Sequence, residues 1–148
     1  MNKLEMSNAA LAAKRAKKIT WAELATQVGM GEVWLASVLY GEAAASPDVA
    51  ARIGEVLSLD ADVVAALSDY ALRGERLAGS VPVDPLIYRF YEIIRVYGLP
   101  LKDLIQEKFG EGIMSAIDFT MTVDRVADPK GDRVLVVLNG KFLPYKSW

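Results

Sequence analysis

Two different spacings of apolar residues divide this chain. Over roughly the first 80 residues, apolar positions recur at the three- and four-residue steps of short helices separated by stop signals. From Ile117 to Val123 apolar and polar residues alternate instead, which is the period of a half-buried strand. The pattern therefore predicts a helical first part and a tail that combines helix and strand.

Local start and stop signals define the predicted helices of the first part. Thr20 and Glu23 have the spacing of a capping box, in which each side chain bonds the other's backbone N–H. Gly29 follows as a C-terminal stop. Further helices are predicted over 32–40 with Gly41 after it, from Ser46 with Pro47 at the first helical position, and from Asp60.

The tail begins with a predicted helix that starts at Asp84 and Pro85 and ends at Gly98 and Pro100. The residues after this helix predict a second short helix, a strand from Ile117, a turn, a more buried strand and a tight hairpin. In order these elements are 101–110, 117–123, the turn 128–132, the strand 133–138 and the hairpin at Asn139–Gly140.

The predicted organisation is two domains of an α+β protein. A Gly-rich stretch over 72–83 is the best linker candidate. We therefore expect an all-helical, repressor-like domain over 1–78 and a small α+β domain, for oligomerisation and catalysis, over 79–148. Hydrophobic residues make up 53% of the chain and the mean hydropathy is +0.21, so part of this apolar surface is expected in subunit interfaces.

Composition excludes several function classes. The chain has no Cys and no His, which removes disulfides, thiolate nucleophiles and the commonest metal ligands. No apolar run approaches the roughly 20 residues that span a bilayer, and the N-terminus does not resemble a secretion signal. We expect a cytoplasmic protein that uses no metal and does not bind a membrane.

Charge argues against nucleic-acid binding. Residues 1–20 carry a net charge of +4, residues 21–80 carry −6 and residues 81–148 are balanced. Thr20–Tyr40 resembles a repressor-type helix-turn-helix, yet its second helix, 32–40, contains no Lys or Arg to contact DNA. We expect this helical fold to serve assembly, and a DNA-binding regulator remains an alternative. The basic cluster at 14–18 is interpreted as a solvated helix face.

Arg89, Glu92 and Arg95 form a stripe on the otherwise apolar helix over 85–97. Spacing alone favours a salt bridge on the surface. The alternative is a guanidinium held by a carboxylate as a fork for a small planar anion, because buried charge is retained where it is paired or used. From the pattern alone both interpretations stay open.

Ser115 is a second polar candidate, close to Gly110, Glu111 and Gly112 and just before the alternating strand. Most serines in such positions are caps or turn residues. Without a histidine in the chain, a Ser-His-Asp triad is excluded, whereas a hydroxyl that donates a hydrogen bond to an anion is not.

The segments DPLIYRFYEIIRVYG, LKDLIQEKFGEGIMSAIDFTMTVDRVADPKGDR and the ending GKFLP closely resemble the cyanases, the cyanate hydratase or cyanate lyase family. The resemblance covers 84–148, and the helical first part is consistent with that family's repressor-like domain. It implies decomposition of cyanate with bicarbonate, through carbamate, to ammonia and carbon dioxide. It also implies a homodecamer, a ring of dimers with active sites between subunits, and no metal or organic cofactor.

Carried onto this chain, the resemblance implies Arg89, Glu92 and Ser115 as catalytic residues; Arg95 receives no role. Glu92 is expected to orient Arg89, with proton transfer as a second possibility, and Ser115 to stabilise developing negative charge. The departures from the family lie in the first half, in the loop 128–133 and in the C-terminal residues 145–148. An inactive structural oligomer that keeps the fold is a third hypothesis, beside the enzyme and the regulator.

Overall fold

The structure is a computed structural model that describes residues 1–73 and 79–147. It divides into two compact units, one of Met1–Arg76 with Thr122–Leu135 and one of Leu77–Met121 with Val136–Trp148. Five short helices precede one long helix and a two-stranded sheet, so the predicted α+β class is confirmed. Within the described ranges no helix is long and apolar enough to cross a bilayer.

In the described residues the first unit contains five helices, and the start signals predicted at Thr20, Ser46 and Asp60 are N-cap positions of three of them. Thr20 accepts from the backbone N–H of Glu23 at 3.2 Å, and the Glu23 carboxylate accepts from the backbone N–H of Thr20 at 2.8 Å. Gly29 ends the helix that Thr20 begins, and its left-handed φ of 74° suits a residue without Cβ. The helices are α1 (Lys3–Ala16), α2 (Trp21–Val28), α3 (Glu32–Leu39), α4 (Pro47–Leu57) and α5 (Ala61–Leu67).

These helices share one hydrophobic core. Leu35 and Leu39 on α3 are fully buried, and Trp34 packs against the core while half-buried. All three residues therefore serve packing. The other fully buried large side chains include Met6, Leu24, Val38, Ile53 and Leu67.

Lys3 on α1 links the first helix of this unit to the last, α5, through hydrogen bonds. Its ammonium donates to the carbonyl of Ala66 at 2.7 Å and to that of Leu67 at 3.3 Å, at the C-terminus of α5. A helix C-terminus carries unpaired carbonyls and partial negative charge, so a cation is stabilising there. Burial nevertheless lowers the pKa of Lys3, and the nearby Asp69 carboxylate raises it by a smaller amount.

The predicted break at Gly98 and Pro100 is wrong. One helix of 25 residues, α6 (Pro85–Phe109), runs through both positions. It starts as predicted, because the Asp84 side chain accepts from the N–H groups of Leu86 and Ile87, each at 2.9 Å. A proline inside a helix costs about 3 kcal/mol and removes one hydrogen bond. The long helical segments on both sides outweigh that local cost.

The two strands β1 (Gly112–Val126) and β2 (Arg133–Pro144) form a hairpin. The predicted turn over 128–132 is confirmed, with the Asp128 side chain accepting from the Lys130 N–H at 2.9 Å. The predicted hairpin turn at Asn139–Gly140 is wrong, since both residues lie inside β2. A Cβ on Gly140 would collide with the Ser115 carbonyl oxygen, so this glycine permits a close approach of the strands.

Burial in the tail is low within one chain. The strand over 133–138, predicted to be more buried, is almost wholly exposed, and α6 has no buried residue, although the apolar pattern over 85–97 is typical of a buried helix. Burial of this helix between subunits stays a prediction. Among the described residues from 79 onward, Ser115 alone is buried. Periodicity shows which faces are apolar; it does not show that the same chain covers them.

The predicted linker 72–83 lies partly outside the described residues, and the predicted domain boundary between 78 and 79 borders that gap. The division into compact units assigns the hairpin tip, Thr122–Leu135, to the first unit. The domains 1–78 and 79–148 therefore remain a prediction.

Candidate active site

Arg89 and Glu92 form an ion pair on the first half of α6. The Arg89 Nη1 atom lies 3.3 Å from the Glu92 Oε2 atom, across one turn of the helix. The two side chains are 65% and 48% exposed, so the pair is open to solvent in this chain. The surface salt bridge predicted from spacing is present, and its exposure leaves both groups accessible to a small anion.

Two tyrosines support the arginines of the stripe. The Arg89 guanidinium carbon lies 5.9 Å from the ring centre of Tyr88, and that of Arg95 lies 5.8 Å from the ring of Tyr91. The two tyrosine rings are themselves 6.3 Å apart. These ring contacts were not predicted from the sequence, although the four-residue step from Tyr91 to Arg95 signals one of them.

Ser115 lies inside β1, not just before the strand as predicted. It is 6% exposed, and its Oγ accepts from the backbone N–H of Ile117 at 3.1 Å and of Asp118 at 2.9 Å. A hydroxyl has two acceptor lone pairs and one proton to donate. Both bonds use the oxygen as acceptor, and within the described residues the hydroxyl donates no hydrogen bond, so its proton can bond another acceptor.

Close strand packing fixes the backbone around Ser115. A Cβ on Gly140 would lie 2.6 Å from Met114 Cγ in addition to meeting the Ser115 carbonyl. A Cβ on Gly112 would meet the Leu143 carbonyl and lie 2.6 Å from the Phe142 ring. Glycine at both positions therefore permits the 112–115 segment to approach β2 closely.

A small apolar cavity of about 420 Å³ adjoins this segment. Phe109 at the end of α6 stacks on Phe142 of β2, with ring centres 5.1 Å apart. The cavity is lined mainly by aliphatic and aromatic side chains and contains none of the three candidate residues. Its lining residues include Ile105, Phe109, Met114, Val137, Leu138 and Phe142.

The structure brings Arg89 and Glu92 together, whereas the side-chain bonds of Ser115 stay within its own strand. In the described part of the chain, no hydrogen bond joins Ser115 to either residue of the pair. The described residues also contain no group of three or more His, Cys, Asp or Glu side chains that could hold a metal ion.

Comparisons with known proteins cover both parts of the chain. A family described as the N-terminal part of cyanate hydratase matches residues 3–69, and one described as the cyanate lyase C-terminal domain matches residues 79–147. The chain belongs to the cyanate hydratase family. The chain is therefore an enzyme of this family, and the two matches confirm the resemblance inferred from the motifs over 84–148.

Individual relatives of this cyanate hydratase family agree over their whole length. A cyanate hydratase of Pseudomonas putida is 58% identical over 148 residues, and one of Parasynechococcus marenigrum is 55% identical over 148 residues; each alignment covers 100% of both chains. The crystal structure of cyanase from T. urticae has a TM-score of 0.82 at 37% identity, covering 94% of this chain and 96% of that one.

The helical unit offers no positive surface on α3 for DNA. Glu32 is the only charged residue of that helix. In the basic cluster, Lys14 donates to the Ile19 carbonyl at 2.7 Å and lies over the Trp21 ring, while Lys17 donates to the Ser58 hydroxyl at 2.9 Å. Part of this cluster therefore has intramolecular partners, in addition to its contact with solvent.

Proposed function

We propose that this chain decomposes cyanate with bicarbonate, through carbamate, to ammonia and carbon dioxide. Full-length similarity to proteins named cyanate hydratase carries the proposal, together with the presence of Arg89, Glu92 and Ser115 at the positions the family resemblance assigns. The reaction consumes one cyanate, one bicarbonate and two protons, and it yields one ammonia and two carbon dioxide molecules.

Both substrates are anions, so the first difficulty is electrostatic. Two like unit charges about 4 Å apart repel by about 4 kcal/mol at an effective dielectric of 20. Arg89 presents a planar guanidinium fork that can bind a carboxylate-like anion through two parallel hydrogen bonds. Its charge offsets the repulsion and holds the bicarbonate oxygen against the cyanate carbon, which is a proximity effect.

The bond from this oxygen to the cyanate carbon forms as a C–N π bond opens, and the bicarbonate proton passes to the nitrogen, which gives a dianionic adduct. The Ser115 hydroxyl, whose oxygen accepts two backbone N–H bonds, directs its free proton to the charge that develops on the adduct. Cleavage of the C–O bond to the former bicarbonate carbon releases carbon dioxide. Protonation of the nitrogen gives carbamate, which then takes up a further proton and separates into ammonia and a second carbon dioxide.

Glu92 orients the Arg89 guanidinium in this proposal, and proton transfer to the adduct nitrogen is its second possible role. The 3.3 Å ion pair supports the first role, because it restricts the rotamers of a long side chain. The proposed reaction uses only side chains of this protein, and no metal or organic cofactor takes part in it.

The proposed active form is a homo-oligomer, a decamer built as a ring of dimers, that acts in the cytoplasm. Exposed apolar side chains on every face of α6 and the lack of a bond between Ser115 and the Arg89–Glu92 pair within the described residues support sites built between subunits. An isologous interface places the same residues of two chains around one axis, so neighbouring chains can complete one site.

Ammonia release from cyanate, measured with and without added bicarbonate, tests the function. We expect bicarbonate-dependent ammonia from the parent chain and a loss of about a hundredfold or more in Arg89→Ala, as for removal of a group that binds charge in a transition state. Lys102→Ala removes a cation from the same helix and should stay close to the parent. No bicarbonate-dependent ammonia from assembled parent protein would reject the function; unchanged Arg89→Ala would reject the site.

A further inference from the structure

The first half of α6 carries one positive charge more than the Arg89–Glu92 pair accounts for. Arg89, Glu92 and Arg95 are the only charged residues over 85–97. Glu92 neutralises the charge of Arg89 when the ion pair is viewed from a distance. The net charge that an approaching anion meets on this segment therefore comes from Arg95.

A series of contacts with two tyrosine rings connects Arg95 to Arg89 of the pair. Its guanidinium lies on the Tyr91 ring at 5.8 Å, the Tyr91 ring lies 6.3 Å from the Tyr88 ring, and Arg89 lies on Tyr88 at 5.9 Å. A cation over an aromatic face within about 6 Å is attracted by the ring while its charge stays available. Within the described residues no carboxylate pairs with Arg95.

Three residues along a helix correspond to a rise of about 4.5 Å and a rotation of about 60° between neighbouring sites. Arg95 therefore follows Glu92 along the stripe at the same step by which Glu92 follows Arg89. Arg95 thus lies one step from Glu92 and two steps, about 9 Å of rise, from Arg89. The first distance is below the Debye length of about 8 Å at physiological salt and the second is close to it, so the charge of Arg95 acts on an anion at the pair with partial screening.

We propose that Arg95, held on Tyr91, is a positioning residue that draws the anionic substrates to the neutral Arg89–Glu92 pair. This inference rests on the proposed function for the identity of the anions. Arg95 acts on binding and not on the chemical step, so its removal weakens substrate capture. The effect depends on charge, so lysine can replace arginine and salt can suppress the difference.

The test compares Arg95→Gln and Arg95→Lys with the parent, and Lys130→Gln, on the hairpin turn, is the charge-matched control. For Arg95→Gln we expect KM for cyanate and bicarbonate to rise about three- to tenfold at low ionic strength with kcat unchanged. The rise should shrink below about twofold at about 0.5 M salt. Arg95→Lys and Lys130→Gln should both keep the parent KM.

A binding measurement separates this inference from the proposed function. Azide is a linear anion isoelectronic with cyanate, and calorimetry of its binding needs no turnover. We expect its Kd to rise in Arg95→Gln at low salt and to recover in Arg95→Lys. Lack of ammonia from the parent rejects the proposed function, whereas the azide titration decides the role of Arg95 in either case.

Several results would overturn the proposal. An azide Kd unchanged by Arg95→Gln, or raised to the same extent at low and high salt, would show that the charge of Arg95 does not act on the anion. A lower kcat with KM unchanged would place its effect on the chemical step. Loss of the parent's assembled mass in Arg95→Gln would assign Arg95 a structural role.

Discussion

The two parts of this chain differ in where their apolar side chains lie. Over 3–67 the helices enclose a shared core, in which residues such as Met6 and Leu35 are completely buried. Over 79–147 the described structure buries only Ser115, and large apolar residues of α6 and the hairpin remain exposed. Extended apolar surface of this kind marks interaction sites. The first part encloses its apolar core within one chain, whereas the part that carries the candidate catalytic residues leaves its apolar side chains exposed.

The largest predicted difference between the two parts is in their response to a charged residue placed on an exposed apolar position. Ile94 on α6 is 60% exposed and Leu4 on α1 is 53% exposed, so the two positions are matched in this chain. If neighbouring chains cover α6, Ile94→Glu buries an unpaired charge at a cost of about 3–5 kcal/mol. We expect it to lose assembly and about a hundredfold or more of activity, measured by light scattering and ammonia release.

Leu4→Glu is the control, and we expect it to keep both the assembled mass and the activity within about twofold, as for a surface substitution. Equal effects of Leu4→Glu and Ile94→Glu would contradict the distinction between the two parts. An assembled and active Ile94→Glu would show that α6 remains exposed to water in the functional protein.

A smaller effect is expected from removing core volume. Leu35 is fully buried on α3, and Leu104 is 52% exposed on α6. Leu35→Ala should lower the free energy of unfolding by about 2–5 kcal/mol, because it removes buried methyl groups and leaves a cavity. Denaturant titration at several protein concentrations measures this loss.

The same titration for Leu104→Ala should give a loss that depends on protein concentration, because in the proposed oligomer Leu104 is covered only on association. The loss for Leu35→Ala should not depend on concentration. The opposite pattern would place the self-contained core in the wrong part of the chain.

The smallest predicted effect concerns the capping box at Thr20 and Glu23 in the helical part. Hydrogen bonds from the backbone and hydroxyl of Thr20 lower the pKa of Glu23 in the folded chain. A lowered folded pKa contributes stability above the usual glutamate value, and this stability is lost as pH falls through the folded pKa. Glu23→Gln keeps the capping geometry but removes this charge, so the parent's stability advantage should narrow as pH falls from neutral through the usual glutamate pKa and below it.

Thermal unfolding at several pH values measures that advantage for Glu23→Gln. Glu55→Gln, on α4, removes an equal charge without disturbing a capping box and serves as the control. A difference between the parent and Glu23→Gln that stays constant across this pH range would contradict the role of the ionised carboxylate.

Local chemistry explains which features were predictable from sequence. The capping box at Thr20 and the stop at Gly29 depend on neighbours within one turn, and both are confirmed. Pro100 gave a wrong break because its local cost competes with hydrogen bonds along the whole of α6. Gly140 gave a wrong turn because the same residue type also permits close strand approach, which involves β1, distant in sequence.

The candidate site was predictable in residue type but not in arrangement. The motif resemblance gave Arg89, Glu92 and Ser115, and their catalytic roles remain proposals. The sequence pattern did not reveal that the Ser115 hydroxyl accepts two N–H bonds of its own strand, because that geometry depends on the local backbone. Nor does apolar periodicity specify whether α6 is covered by its own chain or by another copy.

We propose that catalysis belongs to the associated form, because the part with the candidate residues leaves its apolar side chains exposed in one chain. Dilution of one preparation, or mild denaturant, followed by parallel measurement of molecular mass and ammonia release, tests it most directly. We predict that specific activity falls in proportion to the associated fraction and returns on reassociation. A monomer of verified mass with full specific activity would contradict the account.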